Sequence, residues 1–88
     1  MFLHLGQDII IKTSDIIGIF DLEKTTISKK TRNFLSKMQK ENKVISITND
    51  LPKSFIVCCE NKNTTVYISQ ISTATLIKRC DFLNNKGA

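Results

Sequence analysis

Residues 52–79 read PKSFIVCCENKNTTVYISQISTATLIKR, and this stretch decides the fold. Its two apolar runs, Phe55–Cys59 and Val66–Ile68, are rich in β-branched and aromatic residues, which favour strands. The polar break Glu60–Asn63 separates the runs by the length of a hairpin loop. The stretch therefore predicts a β-hairpin with strands at 54–60 and 64–69.

A helix is predicted directly after this hairpin. Ser72 is a favourable N-cap residue, and the helix is expected to run from Thr73 to about Phe82. Pro52 has no backbone N–H to donate to a strand ladder, so the first hairpin strand should begin after it. The last residues, 84–88, are expected to fray.

The first half of the chain combines two kinds of apolar pattern. Short runs rich in β-branched residues predict four further strands, at Met1–Leu5, Ile9–Ile11, Ile16–Phe20 and Val44–Ile47. Gly18 lies inside the third of these runs and marks a bulge or a close backbone approach. Apolar side chains at helical spacing then predict a helix that Thr25 or Thr26 caps and that Asn42 ends in the left-handed conformation.

This order of elements predicts an α+β fold, with a small antiparallel or mixed β-sheet and two helices, one central and one C-terminal. Eighty-eight residues make a single domain with a thin core. Such domains often gain stability from disulfides, metals or self-association. Adjacent Cys58 and Cys59 point to opposite faces of a strand, and the sequence has no metal-ligand spacing. Self-association is therefore the remaining expectation.

Compartment and membrane signals are read from the termini and the apolar runs. Residues 1–6 lack the basic lead and the long apolar run of a signal peptide. No apolar run of the sequence reaches the length that spans a bilayer. With three cysteines and no disulfide pattern, these features predict a cytoplasmic protein without a membrane partner.

Catalytic patterns are missing from the sequence. His4 is the only histidine, and no neighbour in sequence could orient it as a base. Gly6, Gly18 and Gly87 form no phosphate-cradling loop, and the carboxylates form no obvious pair. The thiols lie in apolar or helical contexts, where cysteines are typically inert. The sequence predicts a protein that is not an enzyme and has no cofactor, metal or small-molecule substrate.

The charge distribution favours a polyanionic partner. The formal net charge is +5, and segment 24–43 carries seven cations against the single acid Glu41. On the predicted helix five of them lie opposite the apolar stripe, where they can contact DNA phosphates or form an ordinary solvated exterior: Lys29, Arg32, Lys37, Lys40 and Lys43. Phe55 and Tyr67 could form a stacking platform for single-stranded nucleic acid, but aromatic residues in a thin sheet are more typical of a core.

Four segments carry a family resemblance: Gly6–Asp8, Asp15–Asp21, Pro52–Val57 and Ser72–Arg79. They resemble segments of the bacterial extracellular matrix regulators RemA and RemB, more closely the RemB branch. The Pro-Lys-Ser element at 52–54 and the final helix are the most specific parts. The resemblance implies one RemA/RemB-like domain over residues 1–83, followed by the tail 84–88.

The resemblance also implies a function. It implies a small cytoplasmic protein that assembles into rings or similar homo-oligomers, and a non-enzymatic DNA-binding regulator of biofilm matrix genes. Under this hypothesis Lys53, Lys12 and Arg32 recur around the oligomer and contact the phosphates of double-stranded DNA.

Three positions depart from the family pattern. RemA-type members present arginines in the loop before the strand that begins near Ser54, and near the start of the strand that begins at Ile16. The corresponding positions here are Asp50, Leu51 and Asp15, and none of these side chains contacts a phosphate favourably. The departures support a second hypothesis, an oligomeric scaffold or partner-binding protein that does not bind DNA.

Overall fold

The computed structural model of the protein describes residues 1–22 and 28–86, the segment 81–86 by its backbone alone. A short 3-10 turn, Thr13–Asp15, joins the second and third strands. The strands and helices in chain order are β1 (Phe2–Gly6), β2 (Ile9–Lys12), β3 (Ile16–Asp21), α1 (Lys29–Lys40), β4 (Val44–Ser46), β5 (Ser54–Glu60), β6 (Asn63–Ser69) and α2 (Thr73–Lys86). The predicted α+β class is confirmed, with one helix central in the chain and one C-terminal.

The strands form two sheets. Strands β1 and β2 pair as an antiparallel hairpin, and the other four form a sheet in the order β3-β5-β6-β4. In this larger sheet β5 pairs antiparallel with both β3 and β6, whereas β4 runs parallel to β6. The larger sheet is therefore mixed, and β3 and β4 are its two edge strands.

Strand β5 is buried on both faces and separates two apolar clusters. Phe55 and Val57 point toward helix α1 and pack in a cluster with Met38 and Val66. The alternate residues of β5, such as Ile56, point the other way, toward the β1–β2 hairpin and α2. The two helices therefore cover opposite faces of the sheet, an arrangement that the sequence alone leaves undetermined.

Two tight turns hold residues in the left-handed region. Asn61 and Lys62, with φ of 50° and 67°, join β5 to β6 in the manner of a type I′ turn. Gln7 and Asp8, with φ of 48° and 65°, do the same between β1 and β2. Both hairpins are therefore closed by turns whose twist matches that of paired strands.

The helix ends match the expected capping chemistry with two differences. The predicted caps Thr25 and Thr26 lie outside the described residues, and α1 begins at Lys29 with Ser28 as its N-cap. The Ser28 Oγ accepts the Thr31 N–H at 3.2 Å, and Asn42 has the predicted left-handed conformation, with a φ of 58°. Ser72 caps α2 as predicted, but this helix continues to Lys86 instead of ending at Phe82.

Gly18 marks an irregularity in β3, as predicted. The register between β3 and β5 shifts between Ile16 and Gly18. A Cβ atom on Gly18 would lie 2.6 Å from Cε2 of Phe20, so the glycine leaves the space that this ring occupies. The Phe20 ring stacks on Phe55 with a centroid distance of 4.8 Å and an interplanar angle of 16°.

Candidate nucleic-acid interface

Lys53 is held by its backbone between two strands while its side chain is exposed. Its N–H donates to the Ser69 carbonyl at 2.9 Å, and its own carbonyl accepts the Leu22 N–H at 2.9 Å. Pro52 precedes it and fixes the approach of the chain. The lysine is therefore fixed at the start of β5, and its ammonium group faces solvent.

Two buried serines lie beneath this position. Ser54 and Ser69 are both 0% exposed, and each makes a hydrogen bond with the backbone of Ile71. The Ser54 Oγ donates to the Ile71 carbonyl at 2.7 Å, and the Ile71 N–H donates to the Ser69 Oγ at 3.0 Å. These bonds tie the residue that precedes the cap of α2 to the sheet end that carries Lys53.

The loop before Lys53 is ordered by Thr48. The Thr48 Oγ1 donates to Gln70 Oε1 at 2.7 Å and accepts the Asp50 N–H at 2.9 Å. The following Leu51 is 87% exposed. Asp50 and Leu51, two of the positions that depart from the RemA-type pattern, therefore present a carboxylate and an apolar side chain to solvent beside Lys53.

Lys12 lies near the other end of the sheet. It ends β2, and the turn after it leads to Ile16, which is the register partner of Cys58 near the end of β5. Lys12 lines a cavity of about 210 Å³ with two carboxylates, Asp15 and Glu60. These carboxylates reduce the positive potential that Lys12 presents to a polyanion.

Arg32 belongs to a helix surface that carries only positive charges. Helix α1 has five exposed cations and no acidic residue: Lys29, Lys30, Arg32, Lys37 and Lys40. The salt bridge from Lys43 to Glu41, at 3.3 Å, lies just beyond its C-terminal end. The predicted basic helix face is therefore present, with Arg32 among its exposed residues.

A single subunit does not gather the three predicted contact residues. Lys53 lies next to Ser54 and Lys12 lies on the side of Cys58, and these two β5 residues are about 13 Å apart at strand spacing. Arg32 is on α1, which covers one face of the sheet. On one subunit the three residues therefore stand apart and do not form a single cluster.

Sequence reasoning missed the position of Lys29 and Lys30 in the helix. With Ser28 as the N-cap, they occupy the first turn, where cations oppose the helix dipole by about 0.3–1 kcal/mol each. Helix stability therefore gives no reason for lysines at this end. Ser28 could have identified the start of this helix from the sequence, because serine is a favourable N-cap residue. Thr25 and Thr26 are also favourable caps, and the prediction chose them instead.

The remaining chemical candidates have structural surroundings. Burial, with a smaller contribution from Asp15, raises the pKa of the Cys58 thiol to about 11, so this thiol is poorly nucleophilic at neutral pH. Phe55 and Tyr67 pack in the clusters on opposite faces of the sheet and so cannot form one stacking platform. Among residues whose side chains are described, no three His, Cys, Asp or Glu residues cluster as metal ligands would.

The second arginine has a structural contact. Arg79 Nη1 donates to the His4 carbonyl at 3.1 Å and so ties α2 to β1. His4 itself is exposed on the outer face of the hairpin. No helix in the described part of the chain has both the length and the apolar character needed to cross a bilayer.

Comparison with known proteins identifies the family of the chain. The family model for RemA-like proteins, described as extracellular matrix regulatory protein A-like, matches residues 2–80. The chain belongs to the RemA-like family. This RemA-like chain is also 40% identical over 83 residues to extracellular matrix regulatory protein B of Bacillus subtilis (strain 168), with 94% of each chain covered. The predicted resemblance to the RemB branch is confirmed.

Proposed function

We propose that this RemA-like protein is a DNA-binding transcriptional regulator of extracellular matrix genes that acts in the cytoplasm as a homo-oligomer. The observation that carries the proposal is the surface of α1, which has five exposed cations and no acid. Two of the cations, Lys29 and Lys30, lie in the first turn of α1, where they oppose the helix dipole and do not stabilise the helix. Binding to a polyanion would explain their presence there. The names of the family and of its Bacillus relative support the regulatory part.

Lys53 and Lys12 contribute positive charge from other elements. Lys53 is presented by a backbone that is bonded on both sides, so its backbone loses little further conformational entropy when the side chain meets a phosphate. Lysine is a point charge without base specificity, so these contacts position the duplex and do not read its sequence. A homo-oligomer repeats Lys53, Lys12 and Arg32 at fixed spacing and multiplies the modest charge of one subunit.

A fluorescence anisotropy titration on duplex DNA at several salt concentrations tests the proposal. The logarithm of the binding constant should fall linearly with the logarithm of salt concentration, because bound lysines and arginines release counterions. Lys53→Glu should weaken binding to unrelated duplexes by similar factors. Lys62→Glu, in the β5–β6 turn, is the matched control and should change binding less. A flat titration at the lowest salt concentration would reject DNA binding.

A second candidate function follows from the residues beside the lysines. Asp50 and Leu51 are exposed next to Lys53, and Asp15 and Glu60 share a cavity with Lys12. An oligomeric scaffold that binds a protein partner would use such mixed apolar and acidic surfaces. A stable protein partner recovered with the purified protein, together with a flat DNA titration, would favour this function over the first.

A further inference from the structure

An apolar groove lies along one edge of the four-stranded sheet, between β3 and α1. This edge groove has a volume of about 440 Å³, and its lining includes Ile17, Phe20, Lys30, Phe34, Phe55 and Val57. Ile17 is 65% exposed and Phe20 is 45% exposed, although both are large apolar side chains. Among the residues that line the groove, Lys30 carries the only charge.

A second apolar surface lies on the other face of the sheet. Phe2 and Ile10, which are 59% and 58% exposed, line the cavity that also contains Asp15 and Glu60. We call Phe2, Ile10 and the neighbouring Ile45, together with the two carboxylates, the hairpin patch. Ile45 is 42% exposed, and its register partner Tyr67 lines the same cavity.

The two surfaces lie on opposite faces of the four-stranded sheet. The edge groove includes the outer strand β3 and lies on the α1 face, whereas the hairpin patch extends from Asp15, just before β3, to Ile45 on the opposite outer strand, β4. The hairpin patch faces the side covered by β1, β2 and α2. Surfaces on opposite faces of the sheet cannot meet within one subunit, but they can meet between neighbours in a row.

The charges of the two surfaces are complementary. Lys30 gives the edge groove a positive rim, and the basic surface of α1 continues beyond it. The hairpin patch has two carboxylates against Lys12, and so it is net negative. The field of these carboxylates extends into the cavity: the pKa of Tyr67 is raised mainly by burial and further by Cys58, Glu60 and Asp15.

We propose that the edge groove of one copy receives the hairpin patch of a second copy of this chain, in a head-to-tail contact. The inference rests on the homo-oligomer of the proposed function and identifies its interface. Because the two surfaces differ, the contact is heterologous, and repeating it generates a closed ring or an open filament. The contact also covers apolar side chains at both edge strands, which are otherwise exposed to unwanted pairing.

Two repelling substitutions test the contact, one on each surface. Ile17→Asp places an acid in the edge groove opposite the carboxylates, and Ile10→Lys places a cation in the hairpin patch opposite Lys30. Each should weaken self-association by about 30-fold or more, as loss of a central interface residue does. Leu51→Asp and Leu51→Lys are matched controls, because Leu51 is exposed and lies outside both surfaces. Sedimentation velocity measures the masses, and circular dichroism checks folding.

Mixing the two variants gives the sharpest test. In a head-to-tail contact, an equimolar mixture of Ile17→Asp and Ile10→Lys has one intact groove and one intact patch, so it should form dimers or larger assemblies, since the introduced acid and cation face each other at the next contact. Each variant alone should stay monomeric at the same concentration. A mixture that stays monomeric, or single variants with the wild-type mass, would overturn the proposal.

A charge exchange separates a specific contact from damage to the fold. Lys30→Glu and Glu60→Lys should each reduce the assembled mass at a fixed concentration, and the double variant should regain it. Lys37→Glu reverses a charge on the same helix outside the groove and should leave the mass unchanged. A double variant that stays as small as the single variants would count against this pairing.

DNA titrations of the same samples separate the interface from the proposed function. A wild-type protein that assembles through these surfaces and ignores duplexes supports the interface and rejects DNA binding. A monomeric wild-type protein that binds duplexes with a steep salt dependence rejects the interface and keeps DNA binding.

Discussion

Ser54 and Ser69 are direct register partners in the β5–β6 ladder, and between them they bind both backbone polar groups of Ile71. Neither serine is exposed to solvent. The pair thus joins the start of β5, the end of β6 and the approach to α2 at one point. Lys53 lies next to it in the chain, so this buried pair also fixes the base of an exposed cation.

Replacing Ser69 by alanine should destabilise the protein. The substitution removes the acceptor of the Ile71 N–H, and an unsatisfied polar group in a buried setting costs about 1–3 kcal/mol. Urea unfolding measures the change in the free energy of unfolding. Ser36→Ala, on the exposed surface of α1, is the control, and a Ser69→Ala variant as stable as this control would show that the bond contributes nothing.

Gly18→Ala should displace the ring of Phe20. The new methyl group would lie 2.6 Å from Cε2 of the ring, so the stack on Phe55 must be lost or shifted, at a cost of about 0.5–1.5 kcal/mol beyond buried area. A double-mutant cycle with Phe20→Ala isolates the effect. Once the ring is absent, Gly18→Ala should cost less, and equal costs in both backgrounds would contradict the steric explanation.

The Cys58 thiol should make stability fall at alkaline pH. Its pKa is raised by burial from 9.0 to about 11, so the folded state holds the proton more tightly than the unfolded state. Its contribution is complete below pH 9.0 and is lost as the pH rises toward about 11.

A comparison with Cys58→Ala isolates this contribution from other titrations. Between about pH 8 and pH 10.5, the wild-type free energy of unfolding should fall by about 2 kcal/mol more than that of the variant. Parallel pH profiles for the two proteins would show that the thiol does not titrate differently on unfolding.

Lys12→Ala and Lys53→Ala should have additive effects on DNA binding. The two lysines lie at opposite ends of β5, share no partner and contact different phosphates under the proposed function. Each should reduce the slope of log binding constant against log salt by about one, and the double variant by about two. A double variant no weaker than the single variants would indicate that the lysines share a site, and Lys62→Gln serves as the control.

The sequence predicts the strands well because their signals are local. The β5–β6 hairpin, the bulge at Gly18 and the stop at Asn42 all depend on residues within a few positions of the feature. The start of α1 was predicted less well, because several residues near Ser28 can act as caps and only packing decides between them. The helices' placement on opposite sheet faces also depends on long-range packing.

The candidate site was predicted residue by residue but not as an arrangement. Lys12, Lys53 and Arg32 are all exposed, as a binding role requires, yet the topology places Lys12 and Lys53 at opposite ends of one strand. The carboxylate of Glu60 beside Lys12 could not be foreseen, because Glu60 is 48 positions from Lys12 in the sequence, whereas Asp15 is only three positions away. Charge counts from sequence therefore overstate what Lys12 offers a polyanion.

Strand β5 supplies side chains to both apolar clusters, and this affects how the protein unfolds. Neither cluster can unfold without exposing strand β5, which also belongs to the other cluster, so no fragment of the molecule retains a complete core. Loss of structure should be all-or-none, with amide protons in the middle of β5 the slowest to exchange. A protease would then find the chain either intact or wholly open.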